Sequence, residues 1–202
     1  MFVKTSLAVL VIAGSLLAAV PAADAKGPIR ARGRRGNAVT TVPAARPAGS
    51  NLVFGQVSDA ERDQLLYLAQ EEKLAQDLYV EFAKAWDVPI FARIASSELT
   101  HAAASARALE ALGLTNPSAD LPAGQFADPD LQALYDSLLA KGLESLTAAL
   151  EVGVTIEETD IADLTAAAEA SSDAGLTQLY ANLARGSSNH LRAFSRQLDA
   201  AN

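Results

Sequence analysis

The sequence predicts an all-α fold: a four-helix bundle with a short extra helix in the long crossover between its second and third helices. Three observations predict it. Half of the 202 residues are hydrophobic but only 5% are aromatic, and 43 are alanine, the best helix former and one of the least bulky apolar residues. Apolar residues recur at alternating spacings of three and four over four long segments. No proline falls inside any of the four. The same composition disfavours an all-β fold, which wants β-branched and aromatic strands.

The first element is an export signal. Lys4 precedes the apolar run Leu7–Val20, which is too short to span a bilayer comfortably, and Ala23-Asp24-Ala25 has the small-x-small form of a signal-peptidase site. Residues 1–25 therefore read as a signal peptide cleaved after Ala25. The mature form would have no stable membrane span and would lie in the periplasm or outside the cell. Residues 26–57 read as a flexible basic linker, rich in Gly, Pro, Ala and Arg and without an apolar period. The bundle itself occupies residues 58–202.

Ser58-Asp59-Ala60-Glu61 is a capping box, so a first helix is expected from about Asp59 to Trp86, where Val88-Pro89 stops it. Its stripe is Leu65, Leu68, Glu72, Ala75, Tyr79, Phe82 and Trp86. Pro89 opens a second helix that ends at Gly113, with the stripe Ile94, Glu98, His101, Ser105, Ala108 and Leu112. The connection that follows is broken by Pro117, Pro122 and Pro129, and Asp128-Pro129 opens the short helix that closes at Gly142. The third long helix covers roughly 143–170, with Leu146, Leu150, Gly153 or Val154, Glu157, Ile161, Leu164 and Ala168 on one side. Ser172 or Asp173 caps the fourth, whose stripe is Leu176, Leu179, Leu183, Ser187, His190, Phe194 and Leu198. Short joints make each pair antiparallel, and the long connection can cross the length of a bundle.

Charge and cysteine content narrow the function. Residues 51–202 carry nine basic side chains against 23 acids, a net charge of −14, which repels nucleic acid. With no cysteine there is no disulfide, no thiolate catalysis and no sulfur-ligated metal. Any metal must be held by carboxylates and imidazoles.

Such groups interrupt the stripes. Glu72, Glu98 and Glu157 occupy positions where a leucine would serve packing, and a buried charge is costly unless it is paired or metal-bound. The chain has only two histidines, His101 and His190, and both fall on stripes. Glu98 and His101 form Glu-x-x-His, an i, i+3 pair that points both side chains at one spot. Glu72, His101 and Glu157 lie near the midpoints of their helices, and midpoints meet at one level in an antiparallel bundle. Glu71 and Glu158 adjoin these positions but are turned about 100° away, so they read as solvated or supporting acids. Tyr79 and Trp86 read as core, and Arg192 and Arg196 as neutralising nearby acids.

The segments Glu72-Lys73-Leu74-Ala75-Gln76-Asp77-Leu78-Tyr79, Glu98-Leu99-Thr100-His101 and Glu157-Glu158-Thr159-Asp160-Ile161 resemble the metal-ligand segments of rubrerythrin-like proteins. Together with Pro89-Ile90-Phe91, Ser97-Glu98 and Gly186-Ser187-Ser188-Asn189-His190-Leu191-Arg192-Ala193-Phe194, they resemble the ferritin-like family called domain of unknown function 2202, over about residues 58–200. The resemblance implies a metal site of Glu72, Glu98, His101, Glu157 and His190, with no catalytic residue beyond them. The position three before His190 is Ser187 where a symmetric di-iron site has glutamate, and Asp160, one turn after Glu157, reads equally as a replacement oxygen ligand or as a solvated acid. Iron, singly or as a pair, or manganese suits this nitrogen and oxygen donor set, which also admits zinc and copper. Oxygen or peroxide redox chemistry, non-enzymatic metal binding or storage, and a metal-free helical interaction module stay open as function classes. A homo-oligomer is compatible with all three.

Overall fold

The computed structural model describes residues 52–201, which form five helices and, among the described residues, no strand. The expected signal peptide and linker residues 26–51 lie outside the described residues. The helices are α1 (Asp59–Ala85), α2 (Pro89–Ala111), α3 (Pro129–Gly142), α4 (Leu146–Ala170) and α5 (Ala174–Ala201). No described helix is long and apolar enough to cross a membrane.

Each helix begins and ends on a chemical signal. Ser58 accepts the Glu61 N–H, and the Glu61 carboxylate accepts the Ser58 N–H at 2.8 Å, so the capping box is formed. The same carboxylate accepts the Ser172 N–H at 2.8 Å and tethers the start of α1 to the α4–α5 turn. These bonds, the Ser58 N–H foremost, hold Glu61 down at about 2. Pro89 stands in the first turn of α2, where its missing N–H is not needed. Gly113 closes α2 with φ at 69°, a left-handed conformation that glycine reaches without strain, and Leu114 N–H returns to Leu109 O at 2.8 Å. Asp128 caps α3 and Ser145 caps α4. Asp173 caps α5, its Oδ1 taking the Leu176 N–H at 2.8 Å while Oδ2 takes the Gly55 N–H at 2.7 Å. The last six residues of the expected linker therefore lie against the helical body: Leu52 and Phe54 pack on the core and Val57 is buried. Apolar side chains at these three positions were the available signal.

The crossover between α2 and α3 is pinned to α1. Ser118 Oγ donates to Gln70 Oε1 at 2.6 Å and accepts the Ala127 N–H, and the Gly124 N–H reaches Asp77 Oδ2 at 2.9 Å.

The interior is layered. One apolar cluster joins the C-terminal half of α1 and the N-terminal half of α2 with α3, the start of α4 and Phe194 of α5. A second joins the opposite halves: Leu65 and Leu68, Ala104 to Leu109, Leu164 and Ala167, and Leu176 to Leu183. The α1–α2 and α4–α5 pairs are thus antiparallel. Between the two clusters lies a buried band of polar residues.

The stripes of α1, α2 and α5 are buried as expected except at their ends, where Trp86, Leu112 and Leu198 are half-buried. In α4 the expected stripe drifts. Gly153 rather than Val154 is buried, because a Cβ there would stand 2.9 Å from the Phe194 ring. Beyond Glu157 the buried positions are Asp160, Asp163, Leu164 and Ala167, with Ile161 and Ala168 half-buried. Acids, invisible to an apolar period, occupy the inner face there.

Candidate metal centre

Four helices deliver the polar band: α1 brings Glu72, α2 brings Glu98 and His101, α4 brings Glu157 and α5 brings His190. All five are buried. Glu98 stands in the middle, with Oε2 at 2.8 Å from His101 Nδ1 and Oε1 at 2.7 Å from His190 Nδ1. Glu72 Oε2 approaches the same His101 nitrogen at 3.3 Å, and Glu157 Oε2 approaches His190 Nδ1 at 3.4 Å. The two rings stack, 5.2 Å between centroids. The arrangement is two half-sites, each an imidazole with its own glutamate, sharing Glu98.

The contacts are short but lie off the straight line of a well-aligned hydrogen bond. His101 Nδ1, His190 Nδ1, Glu98 Oε1 and Glu72 Oε1 are all buried without an aligned partner. Nitrogen and oxygen donors converge there instead of pairing off. Glu98, His101 and His190 offer ligand atoms within 4.8 Å of one another, the spread a single cation could gather.

Electrostatics reflect the crowding. Burial raises Glu98, but the flanking imidazoles outweigh it and bring the carboxyl down to about 2. Burial opposes charge on the rings, yet Glu72 and Glu98 lift His101 to about 11, and Glu157 and Glu98 lift His190 to about 9. Glu72 and Glu157 are pushed up to about 7, burial being the largest cause in each. Lys73 binds Asp77, and Arg192 donates to Asn189 rather than to an acid of the site.

Supporting contacts come from residues whose roles the sequence did not disclose. Tyr79 is fully buried, as expected of core, but its hydroxyl donates to Glu157 Oε1 at 2.7 Å. Ser97 Oγ stands 2.8 Å from His190 Nε2. Ser187, fully buried, donates its hydroxyl to Asp160 Oδ2. Asp160 is thus an interior acid, held well above its usual range by burial and then by Glu72. Glu158 is exposed, as expected. Glu71 is not solvated: it is 3% exposed and is raised by burial, Asp163 and Asp160, with Tyr67 opposing the shift. It faces α4, which a reading confined to the α1 stripe does not place.

Fold and site together define an all-helical protein with a buried glutamate–histidine cluster shared among four helices. The chain belongs to the family described as Uncharacterized protein domain (DUF2202), which residues 61–202 match. It is 39% identical over 150 residues to an uncharacterized protein of Methanocaldococcus jannaschii, covering 74% of this chain and 81% of that one. A crystal structure of a hypothetical protein from Methanococcus jannaschii is similar with a TM-score of 0.73 and 38% identity, over 75% of this chain and 87% of the other.

Proposed function

We propose that this chain is an exported, ferritin-like protein whose polar band holds iron, as one ion or a pair, and supports oxygen or peroxide redox chemistry. The observation that carries the reading is Glu98, buried with one oxygen facing each imidazole and neither ring aligned to donate to it. Ligand atoms of Glu98, His101 and His190 lie within 4.8 Å of one another, a spread one cation could gather. The residues fit such a group, since the orphaned atoms are all donors of the kind iron and manganese accept. The ferritin-like relationship is supported by two antiparallel helix pairs joined through a crossover that contains α3, and by glutamate and Glu-x-x-His on successive helices. Export rests on residues 1–25 of the sequence.

Glu72, Glu98, His101, Glu157 and His190 would hold the metal, Glu98 standing between the His101 and His190 sides. Tyr79 occupies Glu157 Oε1 and leaves Oε2 directed at His190. Two apolar clusters close the band above and below and keep bulk water from it. Bound iron would supply the electrons that oxygen or peroxide reduction requires.

Metal analysis of protein purified without chelator tests the reading. Iron or manganese should co-purify, Glu72→Ala should lose metal and Glu71→Ala should keep it. Metal at background level in the unmodified protein, or loss confined to Glu71→Ala, would overturn it. Peroxide and oxygen consumption by the loaded protein separates redox chemistry from storage.

A further inference from the structure

Both imidazoles turn Nδ1 toward Glu98, and a different device closes off the opposite edge of each ring. The His190 Nε2 is 2.8 Å from Ser97 Oγ. The His101 Nε2 edge lies against the α5 backbone at Gly186, where an added Cβ would stand 2.3 Å from Nε2 and 2.6 Å from Cε1. Gly186 sits inside a 28-residue helix, a position where glycine is among the weakest helix formers. Its use there is unexplained by helix formation and explained by the ring.

We propose that Gly186 and Ser97 are positioning residues for the two histidines, one setting ring depth and the other setting the tautomer. This rests on the metal reading above. With alanine at 186 the His101 ring would have to withdraw from α5 by about an ångström to regain ordinary contact, taking Nδ1 out of its present place 2.8 Å from Glu98. For His190 to offer a lone pair from Nδ1, the ring proton must sit on Nε2, and Ser97 Oγ is the acceptor that keeps it there. Partners of this kind commonly change metal affinity tenfold to a hundredfold.

Zinc titration followed by nitrogen-15 spectra of the imidazoles tests both assignments, because the chain has only two histidines to resolve. In the unmodified protein zinc should shift Nδ1 of both rings while Nε2 keeps its proton. Gly186→Ala should abolish the His101 response. Ser97→Ala should weaken zinc binding about tenfold and let His190 exchange tautomers, and Ser97→Thr should restore both. Gly153→Ala crowds a mid-helix glycine against the Phe194 ring at 2.9 Å and should leave the imidazole response intact. Unaltered His101 signals in Gly186→Ala, an unaltered His190 tautomer in Ser97→Ala, or ligation through Nε2 overturns the positioning roles and leaves the metal reading standing. Should Gly186→Ala fail to fold, the Ser97 pair still decides. No zinc response in the unmodified protein overturns both.

Discussion

The aromatic cluster at one end of the helices and the polar band beside it are built on opposite terms. In the first, Tyr79 and Phe194 lie 5.1 Å apart between centroids and Phe82 and Phe91 lie 5.5 Å apart, edge to face, with every side chain dry. One turn away, between Phe194 and His190 or Ile94 and Glu98, the same helices present carboxylates and imidazoles, among whose polar atoms both Nδ1 nitrogens, Glu98 Oε1 and Glu72 Oε1 lack aligned partners. The first region supplies stability through area removed from water. The second consumes it, since buried polar groups without hydrogen bonds cost about 1–3 kcal/mol each. Their contrast teaches that the apolar ends hold together a layer that would not assemble alone.

The largest expected effect breaks the first region and spares the second. Phe82→Ala should cost about 3–5 kcal/mol in denaturant melts, the range for emptying a buried aromatic site. Metal bound per folded molecule should stay constant; its loss in parallel with stability would mean the two regions are not separable.

Acidity should move the second region alone. In the metal-free protein the raised histidines contribute stability that is complete below their ordinary 6.5 and is lost as pH climbs through about 9 and 11. Glu98, lowered to about 2, contributes above its ordinary 4.5 and loses that contribution as pH falls through 2. Glu72 and Glu157, raised to about 7, add a penalty as pH rises from 4.5 through 7. Metal-free melts should therefore peak near 4.5, fall between there and 7, and fall further above 6.5. Metal affinity should rise over the same alkaline range in which metal-free stability falls, because ligands must shed protons to bind. Parallel pH profiles for the two quantities would defeat the assignment.

A smaller change should show the cost of the band directly. Glu71→Leu removes a buried carboxyl that burial, Asp163 and Asp160 push up against the opposing contact with Tyr67, and should raise metal-free stability by about 1–3 kcal/mol at neutral pH. A lowered melting temperature would mean that the Tyr67 contact outweighs the cost of burying Glu71. The last change is read by metal stoichiometry rather than by stability, because Ser187 is fully buried against Asp160. Ser187→Glu supplies the carboxylate that α5 lacks and should raise metal stoichiometry, whereas two equally tight sites in the unmodified protein would show the glutamate to be dispensable.

Much of this was legible in the chain. Helix ends announced themselves through Ser58 and Glu61, Pro89, Gly113 and Asp128-Pro129, because capping depends on neighbours in sequence. Glu72, Glu98, His101, Glu157 and His190 stood out because each interrupts an apolar stripe. What stayed hidden depends on contacts between helices. Glu71 is buried by α4, not by the stripe of its own helix. Gly186 matters because an imidazole from α2 lies over it, and the inner face of α4 beyond Glu157 is acidic where a periodicity of leucines was sought.

The Asp173 carboxylate has a mechanical consequence. One oxygen caps α5 and the other clasps Gly55, while Gly175 is packed so closely under Val53 that an added Cβ would stand 2.5 Å from its carbonyl. A tug on the chain ahead of Leu52 would therefore be delivered to the first turn of the helix that carries His190.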